Sequence, residues 1–198
     1  MRRPVVGVLA LQGCVERHRP HLEACGAAMR AVRCAEELLA VDGIILPGGE
    51  STAMLRLIDV YGLEPALRQA CRERPVWGIC AGAILIAREH LSLMDYSVTR
   101  NGYGRQLESR RAEVAGYPVA FIRAPRIREA DPSVEVVARL EGEPVWLASG
   151  SRMATTFHPE LTLEPPSPMH RAFVELVSRP APKAGGYGSR HSRCPSNT

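Results

Sequence analysis

Along the first two-thirds of the chain, short apolar runs alternate with amphipathic stretches, a pattern that predicts strands and helices in turn. Residues 5–11 read as a buried strand, 15–25 as a helix, 27–33 as a second strand and 43–46 as a third. Helical periodicity follows over 52–59 and 64–74, then a strand over 76–79 and a helix over 81–90. Strands separated by helices require right-handed crossovers, so the expected fold is α/β: a three-layer, mostly parallel open sheet flanked by helices. The remainder is strand-rich, with runs at 119–123, 134–140, 145–148 and 153–157, and closes with a helix over 168–177. Pro20 breaks the first helical pattern, where it would cost about 3 kcal/mol in an undisturbed helix. The sequence therefore predicts a kink there, or a helix that starts later.

Composition changes this picture at one end only. The chain has 198 residues, room for one domain, and a formal charge of +4. Residues 179–198 hold Arg179, Lys183, Arg190 and Arg193 and no acid; removing those four from 25 basic residues leaves 21 against 21 acidic ones. The body over 1–178 is thus formally neutral, and the tail, rich in Pro, Gly and Ser without apolar periodicity, is expected to be disordered. Lys183 is the only lysine. A P-loop lysine is excluded and imine chemistry in this chain is disfavoured. No motif or basic face points to nucleic acid, and no apolar run is long enough for a membrane span or an export signal. The six cysteines show no close-spaced pairs, which fits a reducing, cytoplasmic setting. A zinc site from His18, His21 and Cys25 lacks a second ligand pair, and neither a metal nor a cofactor is expected.

Residues 75–87 run from an apolar strand into an apolar helix with Gly78, Cys80 and Gly82 at the junction. Glycines flanking a nucleophile between strand and helix make a nucleophile elbow, whose sharp turn presents the side chain under strain. The macrodipole and free N–H groups at the helix start favour a thiolate. The alternative is a buried cysteine in a glycine-rich turn. A nucleophilic thiol needs a base and the base an orienter. Of six histidines, His18, His21 and His90 lie in helical patterns and read as surface, His170 starts the last helix and His191 is in the tail. His158 ends a strand-like run and is followed by Pro159 and Glu160. Residues two apart in an extended segment face the same way, which would let Glu160 accept from one imidazole nitrogen while the other addresses Cys80. At the end of the third strand come Pro47, Gly48 and Gly49, whose two glycines leave backbone N–H groups unobstructed by side chains. That of Gly49 could stabilise a tetrahedral oxyanion together with that of Ala81, or the segment could be a tight turn with Ser51 as helix cap.

These elements in this order resemble the class I (triad) glutamine amidotransferases. Within that group, residues 10–13 (Ala-Leu-Gln-Gly), 46–52, 80–82, 100–106, 121–125 and 156–161 look like the glutaminase subunit of pyridoxal 5'-phosphate synthase, the PdxT family, over about residues 4–178. The resemblance implies a flavodoxin-like sheet and hydrolysis of L-glutamine to glutamate and ammonia. The ammonia would pass to a separate (βα)8 synthase subunit in a large hetero-oligomer. It assigns Cys80 as nucleophile, His158 as base and then acid, and Glu160 as orienter, with Gly49, Glu50, Ser51, Arg100, Ile122 and Arg123 on the glutamine. Arg123 could instead be a sheet-edge charge and Arg100 a solvated loop residue.

Two competing readings are disfavoured. Residues 100–106 and 121–125 argue against the glutaminase of imidazole glycerol phosphate synthase, and an intact His158 and Glu160 against a non-hydrolytic chaperone of the same elbow fold. The stretches 87–94 and 113–119 are shorter than the family pattern, and Pro20 interrupts a helix the family keeps continuous. That helix adjoins the Gln12 loop that would face the synthase, so docking is less secured by the sequence than chemistry.

Overall fold

The computed structural model describes residues 2–100, 102 and 109–179. With strands numbered in chain order, its centre is a seven-stranded sheet. The order is β2 (Ala28–Val32), β1 (Val5–Leu9), β3 (Gly43–Leu46), β4 (Val76–Ile79), β11 (Arg152–Thr155), β10 (Glu143–Ser149) and β9 (Glu135–Leu140). The first five are parallel and the last two antiparallel, so the expected mostly parallel sheet is present. Its parallel part follows the doubly wound order of flavodoxin-like folds, in which ligands sit at the carboxyl ends of the central strands.

Both faces of the sheet are covered. Helices α2 (Ala35–Leu39), α3 (Ser51–Val60), α4 (Glu64–Glu73) and α5 (Ala81–Ile86) bury Leu38, Met54, Ile58, Leu67 and Leu85 on one side. On the other lie α1 (Arg19–Ala24), α6 (Pro168–Ser178) and the hairpin of β6 (Ser109–Val114) and β7 (Tyr117–Ile122), contributing Leu22, Phe173, Val119 and Phe121. In β3, Ile44 and Leu46 face the first cluster and Ile45 the second, all fully buried. A strand covered on both faces has no polar side to alternate with, which is why it reads as a continuous apolar run. A separate pair joins β5 (Tyr96–Thr99) to β8 (Arg126–Ala130).

The first helix does start later than its pattern. A 3-10 turn over Glu16–His18 precedes α1, which places Pro20 in the first turn, where its missing N–H removes no intrahelical bond. The helix expected over 81–90 stops at Ile86, because Ala87 is extended and the amides of Leu91, Leu93 and Met94 fold back onto the carbonyls of Leu85 and Ile86. That closure forms the stretch 87–94. The stretch 113–119 spans the turn of the β6–β7 hairpin, whose two turn residues, Ala115 (φ 53°) and Gly116 (φ 71°), both take the positive φ that a type I′ turn requires. The sequence did not signal α2, β5, β6 or β8. Apart from Arg179, which follows α6, the tail lies outside the described residues. Among the described residues no helix is long and apolar enough to cross a membrane.

Phe173 is fully buried and its ring centroid lies 5.7 Å from that of Trp77, tying α6 to β4. Phe173→Ala is expected to cost about 3–5 kcal/mol, seen in urea unfolding as a lower midpoint with an unchanged slope; a loss below about 1 kcal/mol would contradict this packing.

Candidate active site

Cys80 stands between β4 and α5 with φ 48° and ψ −100°, a conformation that a non-glycine residue holds only under strain. Two close approaches fix it. A Cβ on Gly82 would fall 1.9 Å from the Leu46 carbonyl oxygen, so only glycine lets α5 start this near β3. The Cys80 amide donates to the Thr155 carbonyl at 2.8 Å, clamping the elbow to β11. Cys80 is 5% exposed, and its thiol lies 3.7 Å from the carbonyl oxygen of Ile122 at the end of β7.

His158 leaves β11 three residues after its last paired position and bridges to β7, donating its amide to Ala120 O at 2.7 Å. Its backbone is extended, but a 3-10 turn over Pro159–Leu161 begins at once. The sequence argument expected Glu160 to share a strand face with His158; a turn delivers it instead. The contact itself is formed, with His158 Nδ1 2.7 Å from Glu160 Oε1 and both side chains buried. Burial works against a charged imidazole, yet hydrogen bonding with the Cys80 side chain and with Glu160, and their charges, hold His158 well above its ordinary pKa. Burial also opposes the Glu160 carboxylate; the hydrogen bond to His158 and that ring's charge hold the group below its ordinary value.

The Pro47, Gly48 and Gly49 segment packs directly on this pair. A Cβ on Gly48 would meet the His158 ring at 2.1 Å. Beside it, Gln12 Oε1 accepts from the Glu50 amide at 3.1 Å. The cap of α3 is Glu50 and not Ser51: its carboxylate accepts from the amides of Thr52 (3.0 Å) and Ala53 (2.7 Å), which hold it below the usual carboxylate range. Ser51 is buried. Arg100 donates to Thr52 Oγ1 at 2.9 Å and lies 3.2 Å from His90 Nε2, which brings it to the start of the same helix. Arg123 is exposed, with φ 45°, directly after Ile122. Ala81 is buried at the start of α5. Asn101 and residues 103–106 of the quoted 100–106 segment lie outside the described residues.

Residues around the site also escaped the sequence reading. Cys14 donates its amide to the Gly48 carbonyl at 3.3 Å, and its thiol is pushed up by burial and by the Glu160 charge. His18 and His21, expected on a helix surface, and His170, expected only to start the last helix, are all fully buried. Their helical spacing with Leu22 was the available signal, since one face shared by His18, His21 and Leu22 is an inward face. Among the described residues no group of three or more His, Cys, Asp or Glu is placed to hold a metal ion.

Sheet order, strained elbow and the buried His158–Glu160 pair together define a class of α/β protein, one that presents a cysteine beside an imidazole–carboxylate pair. Residues 8–179 match the model of the SNO glutamine amidotransferase family. The chain is 43% identical over 186 residues to a pyridoxal 5'-phosphate synthase subunit PdxT of Bacillus pumilus, covering 87% of this chain and 94% of that one. A PdxT of Geobacillus sp. is 47% identical over 171 residues, covering 79% and 89%. A crystal structure of a glutamine amidotransferase superposes with a TM-score of 0.79 at 40% identity, covering 87% of this chain and 98% of that one. The chain belongs to the SNO glutamine amidotransferase family.

Replacing Glu160 by Gln removes the negative charge beside Nδ1, so His158 is expected to lose its proton at a lower pH. An imidazole NMR titration measures this, and an unchanged His158 curve would show that the pair is not coupled.

Proposed function

We propose that this chain hydrolyses L-glutamine to L-glutamate and ammonia, and that it supplies the ammonia to a synthase subunit for pyridoxal 5'-phosphate formation. The observation that carries the chemistry is the buried 2.7 Å contact of His158 Nδ1 with Glu160 Oε1, because it commits one imidazole nitrogen to the carboxylate and leaves the other for the thiol on the elbow. In this reading Cys80 Sγ attacks the γ-carboxamide carbon. The His158 imidazolium gives its proton to the departing nitrogen, ammonia leaves, and a γ-glutamyl thioester remains. His158 then takes a proton from water as that water attacks the thioester carbon. Glutamate departs, the thiolate is restored, and Glu160 holds the ring in register through both steps.

The oxyanion of each tetrahedral intermediate would be met by the backbone N–H groups of Gly49 and Ala81. Arg100 and Arg123 suit the α-carboxylate of glutamine, the former by its position at the start of α3 and the latter by exposure next to Ile122. Glu50, Ser51 and the Ile122 carbonyl suit the polar and ammonium end. The PdxT proteins to which the chain is similar are named as subunits of pyridoxal 5'-phosphate synthase, which supports a synthase partner in a hetero-oligomer.

A glutamine-mimicking electrophile is expected to label Cys80 alone among the cysteines, and Cys80→Ala to abolish glutamate release while leaving the fold intact by circular dichroism. Turnover that survived this substitution would end the proposal. Adding the candidate synthase is expected to raise glutaminase turnover and yield glutamine-dependent pyridoxal 5'-phosphate; glutaminase activity indifferent to the partner would sever the coupling while leaving the hydrolysis in place.

A further inference from the structure

The two-stranded pair of β5 and β8 meets the antiparallel end of the main sheet where β8 packs against β10. A cavity of about 450 Å³ opens at this junction, between β8, β9 and the turn from β9 to β10. None of Cys80, His158 and Glu160 lines it. Its lining is of two kinds. Pro132, Val134, Val136 and Pro144 supply apolar surface, while Arg126, Arg128 and Arg139 bring three guanidiniums to the two carboxylates of Glu143 and Asp131.

Both carboxylates already have partners. Arg126 holds Glu143 through two nitrogens, with Nε donating to Oε2 at 2.8 Å and a terminal nitrogen donating to Oε1. That bond first, and then the charges of Arg126, Arg128 and Arg139, keep Glu143 below the usual carboxylate range. Asp131 Oδ1 accepts from the Ser133 amide at 2.9 Å, and the charge of Arg88 acts on it from outside the cavity. The positive side is not matched in this way. Arg128 donates Nε–H to Thr99 Oγ1 at 2.8 Å, and Arg139 donates from one terminal nitrogen to the Gly142 carbonyl at 2.9 Å. Both acceptors are neutral, and among the described residues neither arginine forms an ion pair. A guanidinium carries five N–H donors in one plane. Each of these two therefore keeps a fork of donors and a full charge with no acid to meet them.

The chemistry of the missing partner follows. A guanidinium fork matches an anion that offers two oxygens at once, as carboxylates and phosphates do. Two unmatched forks favour a dianion over a monoanion, and a phosphate monoester carries nearly two charges at neutral pH. The apolar part of the lining adds a second requirement, because a polar group placed against it would lose its water without replacement. No lysine lies within residues 1–178, so recognition rests on the guanidiniums.

We propose that this cavity binds a small phosphate monoester with an apolar or aromatic body, its phosphate held between Arg128 and Arg139 and its body against Pro132, Val136 and Pro144. The site stands apart from glutamine hydrolysis, and the failure of either reading leaves the other in place.

Titration of the 15N-labelled full-length protein with phenyl phosphate tests it. Saturable NMR shifts are expected for the amides of Arg128, Val136 and Arg139, with those of Cys80 and His158 unmoved. Inorganic phosphate, which lacks the body, and benzoate, which carries one charge, are each expected to bind at least about tenfold more weakly. Arg128→Gln and Arg139→Gln are each expected to weaken phenyl phosphate about tenfold, the scale of losing a charge-assisted hydrogen bond. Both side chains are exposed, so the fold is expected to survive, with an unchanged thermal midpoint as its check. Arg111→Gln, an exposed arginine of β6 that lies outside the cavity, is expected to bind as the wild type does. Shifts that never saturate, affinity unchanged in either cavity variant, equal weakening by Arg111→Gln, or inorganic phosphate binding as tightly as the ester would each overturn the proposal.

Discussion

Burying a carboxylate costs several kcal/mol unless other atoms replace the water it loses. Glu160 is 2% exposed, and the elements around it can be understood as the means of meeting that cost. The Nδ1 proton of His158 answers one oxygen. Reaching it requires the chain to leave β11 in an extended form and turn at Pro159, and it requires β7 to run alongside so that Ala120 can hold the His158 backbone. The Gly48 segment, with no side chain to intrude, closes over the ring. Once the pair is formed, the carboxylate holds one nitrogen of the imidazole, and the Cys80 side chain on the strained elbow is close enough to raise the ring's pKa.

The imidazoles around this pair meet opposite protonic demands. Toward the site, His158 is held above its usual pKa by Cys80 and Glu160 against its burial. Toward the core, His18 and His170 are driven below theirs by burial. Charged and neutral imidazoles therefore coexist around one carboxylate. The arrangement is stable because the neutral rings bond to one another, to Ser167 and against Trp77, whose ring meets His170 edge-on with centroids 4.9 Å apart. In acid the buried rings must take up protons that the native packing disfavours, so they oppose stability there, while His158 accepts its proton with the fold.

The parts of this molecule legible in the sequence were those written in local pattern. The parallel strands appear because burial on both faces leaves an uninterrupted apolar run, and the elbow because glycines at 78 and 82 flank Cys80 at a fixed local spacing. His158 and Glu160 were found by spacing, though for a reason the backbone does not share, since a turn and not a strand face brings them together. The capping of α3 by Glu50 was hidden because a glutamate before a serine suggests the serine as the cap. The histidine cluster was hidden more deeply. A buried polar side chain is tolerable only through partners distant in sequence, here between the first helix and the last; the shared helical face of His18, His21 and Leu22 marks an inward side but not the partners that satisfy it. Short β5 and β8, paired with each other and largely amphipathic, left no pattern long enough to read.

The clamp between the Cys80 amide and the Thr155 carbonyl bears on how the protein comes into being. Strands β1 to β4 are contiguous in the chain and can pair as they emerge during synthesis, whereas β11, inserted beside β4, is made much later. Until then the elbow lacks its anchor, and neither the imidazole nor its carboxylate is present beside the thiol. The order of synthesis thus keeps Cys80 apart from the His158–Glu160 pair on every incomplete chain, and the sheet and this cluster are completed together.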